Sequence, residues 1–249
     1  MTNRQHPLVI TLAGAGSASG RAKEVFRPAL TYLQVAGGYT PEDFAEASYR
    51  IEGDGAPLTF SASDSTLPLT ELVNRVAQNL HWFRLHTNRP IDLLGWSLGG
   101  VVFFDALLQL VEEDPSWEQS ISSLVAVSSP LLGSDLDGIH LLGQAAAGPV
   151  GADLARRAAD ALQKRAVRDG AARLREAGIR VVTIAAQEDA IVTPEDALLP
   201  AAGSEPSAII LNPPRRPGAP YAESILGHGA LLNDPVFWRR VLAALGPAE

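Results

Sequence analysis

Short apolar runs alternate along the chain with longer stretches in which apolar residues recur at helical spacing. The runs at 8–13 (LVITLA), 46–51 (EASYRI), 91–95 (IDLLG), 122–128 (SSLVAVS), 179–185 (IRVVTIA) and 207–211 (SAIIL) predict six strands. Several are apolar almost throughout, the pattern of parallel strands covered on both faces. In LTELVNRVAQNLHWFRLH, Leu69, Leu72, Val73, Val76, Leu80 and Phe83 fall near one stripe at a 3.6-residue period, which predicts a helix with Thr70 or Asp64 as candidate starts. The alternation predicts an α/β fold, a doubly wound parallel sheet with right-handed crossovers. About fifty residues separate the fourth and fifth strands, against the dozen or so that a crossover requires. Ala, Leu and Arg recur there at helical spacing, interrupted by Gly148-Pro149-Val150-Gly151. This segment predicts two or more helices, a cap insertion at about 134–176 over one end of the sheet. The chain shows no internal repeat and no low-complexity linker, so 1–249 reads as one domain; the proline-rich LNPPRRPGAP at 211–220 reads as a stiff loop.

Composition narrows the partners. With 249 residues, 46% of them hydrophobic, the chain can bury one sizeable core. A formal net charge of -8 argues against nucleic acid and anionic membrane, both of which require a basic face, and leaves a neutral small molecule open. The absence of cysteine removes disulfides, thiolate nucleophiles and cysteine metal ligands, and fits a reducing compartment. The first apolar run is too short for the core of a signal peptide, and no stretch approaches the ~18 apolar residues that cross a bilayer. The expectation is a soluble, cytoplasmic protein without an integral membrane segment; oligomeric state leaves no mark.

One turn carries chemistry. In IDLLGWSLGGVVFFDALLQL an apolar strand meets an apolar helical run through Gly95-Trp96-Ser97-Leu98-Gly99, a G-x-S-x-G sequence in strand–turn–helix context. Glycines two positions either side of Ser97 admit a tight turn that lifts its hydroxyl to the carboxyl end of the sheet. The helix that follows directs its positive N-terminus at the same spot, and the Leu98 N–H can help hold a developing oxyanion. A serine nucleophile requires a base, and the base an orienting acid. Of the five histidines, His6 precedes the first strand, and His81 and His86 belong to a helix leading away from Ser97. His140 lies in the insertion, as a candidate substrate contact. His228, between Gly227 and Gly229 after the last strand, is the candidate base. Asp189, close after the fifth strand in AAQEDAIVTPEDALL, is the candidate acid, with Glu188 as the neighbouring alternative; Glu195 and Asp196 fit the first turn of a helix, where acids complement the dipole. After the first strand, TLAGAGSASG offers Gly14 for a turn beside Ser97 and the Ala15 N–H as second oxyanion donor, with Gly16 as the alternative. That glycine pattern lacks the full dinucleotide-binding spacing.

Taken together, these segments resemble the α/β-hydrolases, and more narrowly the bacterial lipases and esterases and the lipase-like relatives of GPI inositol-deacylase. The likeness covers most of the chain and rests on DLLGWSLGGVV, VAVSSPLLGSDL, QEDAIVTPEDALLP and GHGALLNDPVFW. It implies a minimal six-stranded parallel sheet and a Ser97–Asp189–His228 triad in the chain order of that architecture. It implies a carboxylic ester as small-molecule substrate and no metal or organic cofactor; the short apolar insertion, on a chain read as soluble and without an export signal, favours short to medium acyl chains. Thioesterase or lactonase chemistry on the same triad, and a non-catalytic hydrolase-fold binding protein, are the alternatives. The chain departs from the family pattern twice: Ala13 stands before Gly14 where histidine is usual, and Leu131 stands where those lipases carry another histidine. Leu131, Leu132 and Gly14, with His140, are the candidate substrate contacts; for the leucines, packing of the insertion onto the sheet is the competing role.

Overall fold

The computed structural model describes residues 6–134, 144–200, 208–212 and 228–245, with only the backbone of 144–147. Six strands form one wholly parallel sheet: β1 (Leu8–Leu12), β2 (Phe44–Glu46), β3 (Ile91–Trp96), β4 (Ile121–Val127), β5 (Arg180–Ala186) and β6 (Ala208–Leu211), in the order β2-β1-β3-β4-β5-β6. The helices are α1 (Arg21–Gly37), α2 (Leu69–His86), α3 (Leu98–Glu113), α4 (Gln144–Ala159), α5 (Ala161–Glu176), α6 (Pro194–Ala197) and α7 (Pro235–Leu245). The six-stranded sheet and its helical flanks agree with the sequence pattern. α1, which carries Pro28 in its interior, is an element that pattern does not mark out.

Side chains alternate across each strand and feed two cores. Ile10, Leu12, Leu93, Leu124 and Val181 pack with α2, α3 and α5 on one face. Val9, Leu94, Val125, Val182 and Ile184 pack with α1 and α7 on the other. Burial on both faces explains why the strands read as continuous apolar runs. α3 is itself buried on several sides, and Val101, Val102, Phe103 and Phe104 have no exposed surface. This is why its sequence shows little polar face.

Two local expectations are corrected. The second strand is not 46–51: it ends at Glu46, opposite Thr11, and the chain then leaves the sheet. Polar groups of α2 take the backbone groups that a longer ladder would use. Asn79 Oδ1 accepts the Ser48 N–H at 3.0 Å, and Arg75 Nη1 donates to the Tyr49 carbonyl at 2.9 Å. Nor is α2 capped by Thr70 or Asp64. Pro68 stands at its N-cap without a side-chain bond, and the Leu69 N–H is taken by Asp153 Oδ2 of α4 at 2.8 Å. The cap is tertiary, supplied from 84 residues away, and no local sequence rule contains it.

Among the described residues, the long segment between β4 and β5 supplies two helices. α4 is kinked at Gly148 and packs against α2 and the single turn at 64–66. α5 runs along α3 and β5 within the layer that covers the sheet. Arg157 pairs with Asp105 of α3, and its guanidinium also donates to the Leu131 carbonyl, pinning α4 to both. No helix among the described residues is long and apolar enough to cross a membrane.

Asp92 of β3 is buried in the sheet. One carboxylate oxygen accepts from Ser123 Oγ at 2.6 Å and the other has no partner. Burial pushes its pKa up to about 7, against the lowering influence of Ser123 and Arg180. The folded chain therefore holds a proton that the unfolded chain releases near its ordinary value. Stability contributed by this group should be full below about pH 4, decline as pH rises toward 7, and level off above it, with a slope of up to about 1.4 kcal/mol per pH unit in the window. Denaturant melts of wild type and Asp92→Asn at pH 4 to 8 check this. The difference between the two chains should change sharply between pH 4 and 7 and be flat above it.

Candidate active site

The sheet order places a crevice before any side chain is considered. From β1 the chain goes to β2 on one side and returns to β3 on the other, so the connections diverge at the carboxyl ends of β1 and β3, where open α/β sheets hold their ligands. Gly14 follows β1 and Ser97 follows β3 at this point.

Ser97 is the N-cap of α3 and has φ 55 and ψ -127, a conformation that L-residues avoid and that costs about 1–3 kcal/mol. Its N–H donates to the Val127 carbonyl at 2.9 Å, and its carbonyl accepts from the Gly100 N–H at 3.2 Å, so the turn is held from β4 and from the helix. A Cβ at Gly95 would come 2.5 Å from the Gly100 backbone, and one at Gly99 2.7 Å from the Leu12 carbonyl carbon. Only glycines admit so tight a turn. Ser128, beside it at the end of β4, also has a left-handed φ of 43, and its hydroxyl is buried without a partner among the described residues.

The structure brings together the three residues that the sequence nominates. His228 Nε2 lies 2.9 Å from Ser97 Oγ, and His228 Nδ1 lies 2.9 Å from Asp189 Oδ2. His228 and Asp189 are buried, with side chains 9% and 0% exposed, while Glu188 faces outward; of the two neighbouring acids only Asp189 reaches the imidazole. Asp189 is fixed by its own loop. Its Oδ1 accepts the N–H groups of Ile191 and Val192 at 3.0 Å each, leaving Oδ2 for the histidine. Trp96, adjacent to Ser97, holds His228 from the other side: its indole N–H donates to the His228 carbonyl at 3.3 Å, and the two rings lie 5.1 Å apart. Sequence reasoning assigned no structural task to Trp96; the signal available was its place next to the serine.

Two backbone segments lie beside Ser97, one after β1 and one after β3. Leu98 is the first residue of α3, whose leading N–H groups have no intrahelical acceptor and carry the positive end of the helix dipole. Gly14 lies against Ser97 and begins a turn to Ser17 through Ala15 and Gly16, with Gly16 at φ 72. The other nominated contacts stand differently. Leu131 and Leu132 are buried in the packing between sheet and α4, together with Val150 and Leu154. His140 lies outside the described residues. Among the described residues no group of three His, Asp or Glu side chains is placed to hold a metal ion.

No protein-family model matches the sequence, and no curated protein matches it. Solved structures do match. A lipase of Bacillus licheniformis, BlEst2 in its mature form, superposes with a TM-score of 0.60 at 12% identity, covering 98% of this chain and 93% of its own. Aspergillus fumigatus lipase B gives 0.59 at 20% identity, over 98% of this chain and 53% of its own. Phospholipase PlaB of Legionella pneumophila, in complex with thio-NAD, gives 0.60 at 12% identity, over 96% and 61%. The chain thus spans about three fifths of the Legionella protein and about half of the Aspergillus one. At these identities the likeness concerns the fold: the chain has the α/β-hydrolase fold.

The contact between Gly14 and Ser97 can be tested directly. A methyl group at position 14 would lie 2.8 Å from Ser97 Cβ and 3.0 Å from Oγ, and the serine turn is too constrained to retreat. Gly14→Ala should fold with a near-native melting temperature yet misplace the hydroxyl. A displacement of that order costs roughly 10²-fold in rate, measurable as kcat on a soluble ester. Gly53→Ala, far from the serine turn and with no atom within 4 Å, serves as the comparison.

Proposed function

We propose that this chain is a serine hydrolase that cleaves carboxylic esters through an acyl-enzyme, with Ser97 as nucleophile, His228 as general base and acid, and Asp189 as the orienting acid. The observation that carries this reading is the continuous relay from Ser97 Oγ through both imidazole nitrogens to Asp189 Oδ2, with 2.9 Å at each step. As Ser97 Oγ attacks the ester carbonyl, its proton passes to His228 Nε2. The negative charge formed on the carbonyl oxygen is held by the N–H groups of Leu98 and Ala15. Collapse breaks the bond to the alcohol, which leaves with the proton from Nε2. Water repeats the sequence on the acyl-enzyme and releases the acid. Asp189, already saturated on Oδ1, keeps Nδ1 protonated and stabilises the imidazolium. Ala15 rather than Gly16 is the favoured donor because its peptide follows Gly14, which touches Ser97.

The substrate is read as a dissolved ester of short to medium acyl length, acted on by a cytoplasmic protein whose lack of cysteine fits a reducing compartment. Of the segment at about 134–176, the part before α5 is taken as the cap bordering the acyl site, with Leu131 and Leu132 at its base, while α5 covers the sheet beside α3 and β5. A series of p-nitrophenyl esters from acetate to palmitate, compared by kcat/KM, tests this. Each buried methylene contributes about 0.8 kcal/mol until the site is full, so activity should rise and then fall within the series. A maximum at palmitate, with a jump above the solubility limit, indicates a true lipase instead. Silence on every ester, with Ser97 still labelled by a fluorophosphonate, points to a thioester, lactone or amide.

Roles are tested by substitution. Ser97→Ala should abolish hydrolysis, with a loss of about 10⁴ or more and the melting curve retained. Asp189→Asn should lose about 10³–10⁴ by removing the fixed tautomer of His228, whereas Glu188→Gln should change little. Equal losses from the two acid substitutions would remove Asp189 from its assigned role.

A further inference from the structure

The segment that fails to be a strand carries out a task at the site. After β2 the chain runs irregularly from 47 to 63, a single turn follows at 64–66, and this region ties down the loop that follows β1. Tyr49 is wholly buried, packed edge-on against Phe60 with rings 5.3 Å apart, and its hydroxyl donates to the Ala13 carbonyl at 2.6 Å. Burial pushes its phenol well above the ordinary tyrosine range, so it remains a donor at every working pH. Ser17 Oγ donates to the Gly14 carbonyl at 2.6 Å, reinforced by the Ser17 N–H at 3.3 Å. Ser65 Oγ shares its proton between the Ala62 carbonyl at 2.8 Å and the Ser17 carbonyl at 3.1 Å, while Ser19 and Phe60 exchange bonds of 2.7 and 3.1 Å.

A peptide unit is planar, with its C=O and N–H pointing in opposite directions. The Gly14 carbonyl and the Ala15 N–H belong to one such plane. A bond that fixes the carbonyl therefore fixes where the N–H points. The Ala13 carbonyl belongs to the preceding plane, so a bond to it fixes the orientation from which the second plane departs. We propose that Tyr49 and Ser17 are positioning residues that clamp two successive peptide planes and so aim the Ala15 N–H at the oxyanion formed on the Ser97 substrate. The clamp rests on the serine-hydrolase reading above. It assigns the two residues to transition-state stabilisation, not to substrate binding.

The test uses the full chain and the variants Tyr49→Phe, which keeps the ring and its packing on Phe60, and Ser17→Ala. Fluorophosphonate labelling of the wild type is mapped first. On a soluble p-nitrophenyl ester, each variant should lose tenfold or more in kcat with KM within about twofold, since loss of one oxyanion donor altogether costs 10²–10³. The Ki of a trifluoromethyl ketone, whose adduct with the serine carries the oxyanion, should rise by at least tenfold in the same variants. Thermal melts report the folded fraction of each. Labelled wild type with unchanged kcat and Ki in both variants would overturn the clamp alone. So would a loss of activity that merely follows the folded fraction, or one that falls on KM. A wild-type chain not labelled at Ser97 would overturn the triad and the clamp together.

Discussion

Everything at the site depends on a serine held in a backbone conformation that it would not choose. At φ 55 and ψ -127 Ser97 is strained, and the strain persists because the turn is gripped from several sides. β4 accepts its N–H, α3 begins on it, and Gly95 and Gly99 let helix and strand approach within a distance that no Cβ would tolerate. The apolar burial of α3 on several sides supplies the rigidity. A turn so constrained delivers its hydroxyl to one place, and the rest of the site is arranged around that place.

The surrounding groups are held by bonds that leave one direction free. Asp189 spends Oδ1 on two backbone N–H groups and presents Oδ2 to His228. Trp96 holds the backbone of His228 while the imidazole bridges Ser97 and Asp189. Each loop is thereby organised by contacts within the scaffold, the preorganisation that makes electrostatic stabilisation of a transition state effective. The irregular segment after β2 belongs to the same scheme. Had 46–51 continued as a strand, the backbone of Ser48 and Tyr49 would serve the sheet instead of bonding to Asn79 and Arg75.

The insertion is likewise tied to the frame. Asp153 of α4 caps α2, and Arg157 of α4 pairs with Asp105 of α3 while reaching the Leu131 carbonyl. A hydrophobic residue at 131 suits this arrangement, because its side chain is buried beneath α4 with Val150 and Leu154. Position 131 is thus a packing position, buried between the sheet and α4.

Much of the architecture was legible in the chain because continuous apolar runs mark strands covered on both faces and period-3.6 patterns mark the face of a helix that must leave water. Five of the six strands fell where apolar runs placed them, and the chemistry-bearing turn was marked by glycines flanking a serine. Ser97, Asp189 and His228 could be nominated because each follows a strand end or a terminal loop in a fixed chain order. The sequence favoured Asp189 but kept Glu188 beside it as the alternative; burial and hydrogen bonding distinguish them, since Asp189 is buried against His228 and Glu188 is exposed. Tyr49, Ser17, Asp153 and Asn79 carried no signal. Their partners lie on other elements or depend on the direction of a peptide plane, and a contact of that kind exists only once the chain has been brought together in three dimensions. Local pattern determined which segments fold into strand and helix and which serine is singled out; the tertiary structure decided which carboxylate reaches His228, which side chain caps α2 and which hydroxyl bonds the Ala13 carbonyl, because hydrogen bonds are specific in distance and direction while burial is specific only in face.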